Sequence, residues 1–331
     1  MDNAAPMLRL YVKSRPYLLT GAILFLTAFN TSSALRVPMT QVPREVYDRY
    51  LSRVEADAPA EELRREADQG NALAAYYYAL RHTSYCPRDL RIAVDRELAF
   101  RYMKKAADLS GRPRAVAVLA LYHLNGWGTK TDLEEAHRLA TLAKNQGQTL
   151  GYRVLGECRL KRAESLLTDG EATRVAASQP NRSSRLGELE TEVKEALRDL
   201  EYAADRGNAG ALKSLARIHD QGDLGRPRNH RLATECYKLA ALRRDEKAAR
   251  LLAERHEEGV KAERDLRLAY AWTLVELQLT EEKAEARRRR DTLEDRLTVA
   301  DKLAAQDQAA QWLAQMPSEQ DSARARLDPD R

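Results

Sequence analysis

The feature that most constrains this 331-residue chain is a helix-stop signal that recurs along it. Gln69-Gly70-Asn71, Ser110-Gly111-Arg112, Gln146-Gly147-Gln148 and Arg206-Gly207-Asn208 each place a glycine after an alanine-rich helical pattern, and Arg244-Asp245 ends a fifth such pattern without one. Glycine stops a helix there because it enters the left-handed region with no Cβ penalty. The junctions at 70, 111, 147, 207 and 244 are 41, 36, 60 and 37 residues apart. A unit of about 36 residues with insertions accounts for all four steps, and a period in that range marks stacked supersecondary units. The length also exceeds what a single hydrophobic core usually serves, so an elongated array is the natural solution.

One unit displays the pattern in full. Ala115 to Gln148 reads as an apolar helix, a turn with Gly126 and Gly128, Asp132 as the N-cap of a second, amphipathic helix, and Gly147 as its stop. Gly222 and Gly259 open the corresponding turns of two later units, whereas Tyr85 and Lys261 stand where a turn glycine is missing, and Asp245 stands at the junction without one. The second helices also match one another: Ala99 through Tyr102 to Ala107, Ala196 through Tyr202 to Ala204, Ala233 through Cys236 and Tyr237 to Ala241, and Ala269 through Trp272. Small alanines let neighbouring helices approach, and the aromatic fills the space between turns. Aromatics are only 6% of the chain, so helix-favouring Ala, Leu, Arg and Glu dominate.

These motifs resemble the Sel1-like repeat family, relatives of the tetratricopeptide repeat. The resemblance runs from Glu61 to Gln315 and implies an all-α, right-handed alpha-solenoid of helix-turn-helix repeats. It divides the chain into a half repeat and five repeats over 61–279 and a C-terminal segment over 280–316 that, with Leu293, Leu297, Leu303 and Trp312, resembles capping helices. The third repeat is split by roughly 24 extra residues, about 161–190, with its second helix expected from near Glu192. Lys161 to Thr168 can extend a helix. Val175 to Ser184 is polar and turn-forming, which suits a surface loop, a partner-binding protrusion or a hinge.

No motif for chemistry emerges from the pattern. His82, His123, His219 and His256 fall at one equivalent position of the first helices, with Arg159 in the third repeat. Successive helices pack 8–10 Å apart, too far for such a row to converge on one ion whose ligands lie about 2 Å away. A structural ladder is the expected role, with a response to acid as a secondary property. Cys86, Cys158 and Cys236 form no CxxC pair, and Cys236 lies on an apolar helix face, where a small buried hydrophobe is expected. No G-x-S-x-G, H-E-x-x-H or P-loop occurs, and Gly126-Trp127-Gly128 follows no strand, so neither an enzyme nor a cofactor or metal is expected.

Partners are therefore expected to be other proteins. The net charge of +5 comes from interspersed signs, and Arg287 to Arg290 is flanked by carboxylates that can neutralise it as a solvated helix face, so nucleic acid is not expected. Arg9, Lys13 and Arg15 precede the uncharged stretch Tyr17 to Phe29, and Ser32 and Ala34 make a cleavage-like pattern. Residues 1–34 thus read as a signal peptide directing the chain to the periplasm, or as an uncleaved inner-membrane anchor, followed by a linker and helix over 35–60. Residues 317–331 read as a disordered tail. Exported bacterial members of the family serve as envelope scaffolds, including for exopolysaccharide secretion, or as periplasmic regulators of sensor kinases. A cysteine-rich secreted enzyme type also exists there, but its paired cysteines are absent from this chain.

Overall fold

A computed structural model of the chain describes residues 59–83, 86, 91–174, 182–222 and 227–318. The expected export segment, the linker up to residue 58, Tyr85, the loop at 175–181 and the tail beyond 318 lie outside the described residues. Among those described there are thirteen helices and no strand. Helix α1 (Ala60–Asp68) packs on α2 (Ala72–Arg81) as a half repeat. Five pairs follow: α2 with α3 (Arg96–Ser110), α4 (Pro113–Asn125) with α5 (Leu133–Asn145), α6 (Thr149–Arg174) with α7 (Arg182–Asp205), α8 (Ala209–Gln221) with α9 (His230–Leu242), and α10 (Glu246–Glu258) with α11 (Leu266–Leu279). Each pair packs on the next, and α4, α6 and α8 also touch in succession, which makes an all-α solenoid.

Local chemistry sets the helix boundaries. Asn71, Asp95, Asp132, Asn208, Asn229, Asp245 and Asp265 each occupy an N-cap, and each side chain accepts from a backbone N–H two or three residues on. Such a cap contributes about 1 kcal/mol by satisfying donors the helix leaves open. At the other ends Gly70, Gly147 and Gly207 have φ of +96°, +78° and +77°. The junction without a glycine is corrected by one position: Arg244, not Asp245, takes the left-handed conformation, with φ +64°. Its N–H donates to Ala241 C=O at 2.8 Å and that of Asp245 to Ala240 C=O at 3.2 Å, the same pair of bonds that Gly147 and Gln148 make.

The repeat register is visible in the core. Ala99, Ala136, Ala196, Ala233 and Ala269 are all 0% exposed, so every second helix carries a buried methyl group at the same repeat position, in the first turn of each except the lengthened α7. Three residues on, Tyr102, Leu139, Cys236 and Trp272 are buried, but the third pair has Asp199 there. That pair differs in length as well. Helix α6 has 26 residues and α7 has 24, against 13 in α8 and α9, or about 39 Å against about 20 Å at 1.5 Å per residue. The extra residues thus continue two helices, and the second begins at Arg182, not near Glu192. Gly156 makes their contact close, since a Cβ there would lie 2.8 Å from Leu200 Cγ.

Two further helices close the stack. α12 (Lys283–Glu294) packs on α11, and α13 (Val299–Gln315) returns along α11 and reaches α9. Trp312 stacks on Trp272 with centroids 3.9 Å apart and planes 15° apart. Leu293 is buried and Leu297 partly so. Leu303 is not a core residue: it is 57% exposed, because Ala305, Ala309 and Trp312 define the buried face of α13.

Candidate protein-interaction surface

The equivalent histidines stand where each pair turns. The carbonyls of His82, His123, His219 and His256 accept from the N–H of Asp95, Asp132, Asn229 and Asp265 at 2.7–3.0 Å, so each residue ties the end of a first helix to the N-cap of the second. Two rings reinforce the tie: Nδ1 of His82 donates to Ala93 C=O at 2.9 Å and that of His256 to Glu263 C=O at 3.2 Å, each two residues before the cap. His123 instead sets its ring edge-on to Phe100, 5.3 Å between centroids. The structure places these histidines in separate turns. Among the described residues no group of three His, Cys, Asp or Glu side chains could hold a metal ion.

Gly126, Gly222 and Gly259 are left-handed C-caps of α4, α8 and α10, and Gly111 is that of α3. Gly128 does something different. A Cβ on it would fall 1.9 Å from the Arg96 carbonyl oxygen, so this turn lies directly on the first turn of α3. Tyr102 is buried against Tyr78, and its hydroxyl donates to Asp68 at 3.0 Å, joining α3 to the half repeat. Cys236 and Tyr237 are buried side by side on α9, with the Arg255 guanidinium 5.3 Å from the Tyr237 ring.

Charge is concentrated in three inter-helix clusters that the sequence pattern does not announce. Arg159 reaches Glu192, Glu195 and Asp199, which share one face of α7, while Lys144 of α5 meets the other Asp199 oxygen at 2.5 Å. The arginine in the histidine register and the aspartate in the aromatic register thus replace a packing pair with an ion pair. Only the Arg159 half of that exchange shows in the histidine row.

Arg255 forms a bidentate pair with Asp220 at 2.5 and 2.9 Å, and also donates to Thr234 and to the carbonyls of His230 and Lys261. Burial pushes the Asp220 carboxyl up, but hydrogen bonds from Arg255 and His230 outweigh it and hold the group below its ordinary value.

The third cluster corrects the reading of Arg287 to Arg290 as a wholly solvated face. Arg289 is largely buried and donates to Glu276 at 2.6 Å and Glu254 at 3.0 Å, while Arg287 and Arg288 are exposed. Burial raises the Glu276 carboxyl despite the arginine beside it.

The outer surface carries apolar side chains between charges. Leu109 on α3, Leu142 on α5, and Leu232 and Leu239 on α9 are 41–52% exposed. Leu142 borders a shallow, open depression of about 680 Å³ along α5, shared with Glu134, His137, Arg138 and Thr141. Burial, then the nearby Arg162 and Arg159, lower the His137 pKa, which favours the neutral ring. The three cysteines are buried and form no disulfide among the described residues, and burial pushes the Cys158 thiol up to about 12. Among the described residues no helix is long and apolar enough to cross a membrane.

Comparison with protein families finds the Sel1 repeat at residues 72–111, 113–148, 209–245 and 246–274, four of the five helix pairs. The lengthened pair is the unmatched one. Comparison with curated proteins finds no match. Among solved structures, the chain is similar to a Sel1 repeat protein from Klebsiella pneumoniae (22% identity, 72% of this chain and 100% of that one, TM-score 0.42). It is also similar to a Sel1 repeat protein from Oxalobacter formigenes (16% identity, 72% and 100%, TM-score 0.40). A third is a protective antigen of uropathogenic Escherichia coli (19% identity, 80% of this chain, TM-score 0.34), of which the chain spans 65% of the length.

Proposed function

The chain is a Sel1-repeat protein, and on that premise we propose that it is a non-enzymatic scaffold that holds other proteins together in the bacterial cell envelope. Sel1-repeat proteins generally mediate protein–protein interaction and are typically not catalytic. The observation that carries the reading is the set of leucines left in solvent on three of the five second helices, Leu109, Leu142, Leu232 and Leu239, each 41–52% exposed, with Leu142 sharing its depression with Glu134 and Arg138. Apolar anchors with a polar rim are what protein interfaces use. Export is supported by the basic residues Arg9, Lys13 and Arg15 ahead of the uncharged Tyr17 to Phe29.

The test is affinity capture of the tagged chain after crosslinking in cells, with mass spectrometry of the partners and of the chain's own N-terminus. Envelope-assembly proteins together with a start at Leu35 are expected, and Leu142→Asp with Leu239→Asp should lose those partners while leaving the helical circular-dichroism spectrum unchanged. Recovery of a sensor kinase would replace the scaffold by a regulator. Cytoplasmic partners with an intact Met1 to Ala34 would overturn the envelope role.

A further inference from the structure

One ion pair reaches much further along the sequence than the rest. Arg91, between α2 and α3, donates from Nη1 to Glu281 Oε2 at 2.9 Å and from Nη2 to Glu281 Oε1 at 3.0 Å. Glu281 lies between α11 and α12, 190 residues away. Other side-chain bonds across the stack, such as Ser214 to Glu157 at a separation of 57, join a helix pair to its neighbour. The two partners are far apart in repeat order: Arg91 lies within the turn of the first pair, and Glu281 just beyond the C-terminus of the fifth pair's second helix.

The arginine side chain is held before the two meet, and the backbone on either side of Glu281 is tied. Nε and Nη2 of Arg91 donate to Cys86 C=O at 3.2 and 2.7 Å, which fixes the fork so that its remaining N–H groups face Glu281. The arginine's backbone neighbours are also tied, Ile92 N–H to Arg81 C=O at 3.1 Å and Asp95 N–H to His82 C=O at 3.0 Å. On the other side Thr280 N–H donates to Glu276 C=O at 2.8 Å, and Glu282 N–H to Thr280 Oγ1 at 3.2 Å. A bidentate guanidinium–carboxylate pair whose arginine fork is already oriented loses less freedom on forming than one between two free side chains. The arginine side chain is 17% exposed and the glutamate 41%, so the pair is only partly screened by water.

We propose that Arg91 and Glu281 are a clasp that holds the first turn of the array against its last, and that breaking this pair lets the two ends separate without unfolding the repeats between them. Neighbour-only packing makes this feasible. A stack in which each pair is stabilised by the next can flex at its ends while its interfaces persist. The clasp is then a built-in control on the spacing between the first and fifth pairs, and it goes beyond the scaffold reading because it needs no partner.

The experiment measures that spacing in the isolated full chain. Spin labels are placed on Val94→Cys and Arg288→Cys, both at exposed positions, while the three native thiols are buried. Pulsed electron paramagnetic resonance should give one narrow distance distribution in the parent. Arg91→Glu and, separately, Glu281→Gln should broaden it and move it to longer distance. Unchanged circular dichroism in Glu281→Gln keeps the result interpretable should the arginine variant fold poorly. A parent-like distribution in both single variants would overturn the clasp.

Discussion

Replacing Gly128 by alanine separates two costs that usually arrive together. Gly128 and Gly147 both have positive φ, +67° and +78°, so alanine at either must enter the left-handed region, at about 1–2 kcal/mol. Their surroundings differ. A Cβ at Gly147 meets nothing within 4 Å, whereas one at Gly128 lies 1.9 Å from Arg96 O, 2.4 Å from Arg96 C and 2.8 Å from Glu97 N. Those are backbone atoms in the first turn of α3, and no rotamer change moves them. The turn has to lift off the preceding pair, adding about 1–3 kcal/mol of overpacking strain. Gly147→Ala should therefore lose about 1–2 kcal/mol and Gly128→Ala about 2–5 kcal/mol. Urea titration followed by circular dichroism measures both, and m should stay the same in the two variants if only native-state strain has changed. Equal losses would refute the argument that this turn is pinned by contact between neighbouring repeats.

Three other outcomes follow from the geometry. Arg244→Gly should stabilise the chain by about 0.5–1 kcal/mol, the relief of left-handed strain at φ +64° less glycine's entropic cost, and a lower urea midpoint would contradict it. Because the Asp220 carboxyl is held below its ordinary 3.8, its contribution is fully present above the unfolded value and is lost as pH falls through the lower folded value. Asp220→Asn should be less stable than the parent at pH 7, with the gap narrowing below about pH 4, as urea midpoints across pH would show; a gap that widens in acid would reverse the sign. Cys158, whose thiol burial pushes up to about 12, should resist a thiol-specific reagent in the native state at pH 7 and react only on unfolding; fast native labelling mapped to Cys158 would contradict its burial.

Much of the repeat architecture was legible because its signals are local. A glycine that must take positive φ and an Asp or Asn that caps the next helix act within a few residues, so Gly147 and Asp132 mark helix ends with no knowledge of the fold. The 36-residue spacing then carried the pairing of helices, because in a solenoid each element packs mainly on its sequence neighbours. Where a local signal was lost, the reading slipped: Arg244 takes the left-handed position of the missing glycine, which was assigned to Asp245.

The extra residues of the third repeat show the limit from another side. The helix extension expected over Lys161 to Thr168 is present in α6, the polar stretch from Val175 lies outside the described residues up to 181, and α7 already runs from Arg182, with Arg159 spanning Glu192, Glu195 and Asp199. For the candidate surface the sequence by itself determined the helices, their caps and their order, since these depend on contacts within one or two units. Only the tertiary structure decided which charges are buried, which leucines remain in solvent, and that Arg91 meets Glu281. Those outcomes depend on how five pairs accumulate across the stack, and a repeat pattern that is the same in every unit holds no record of that sum.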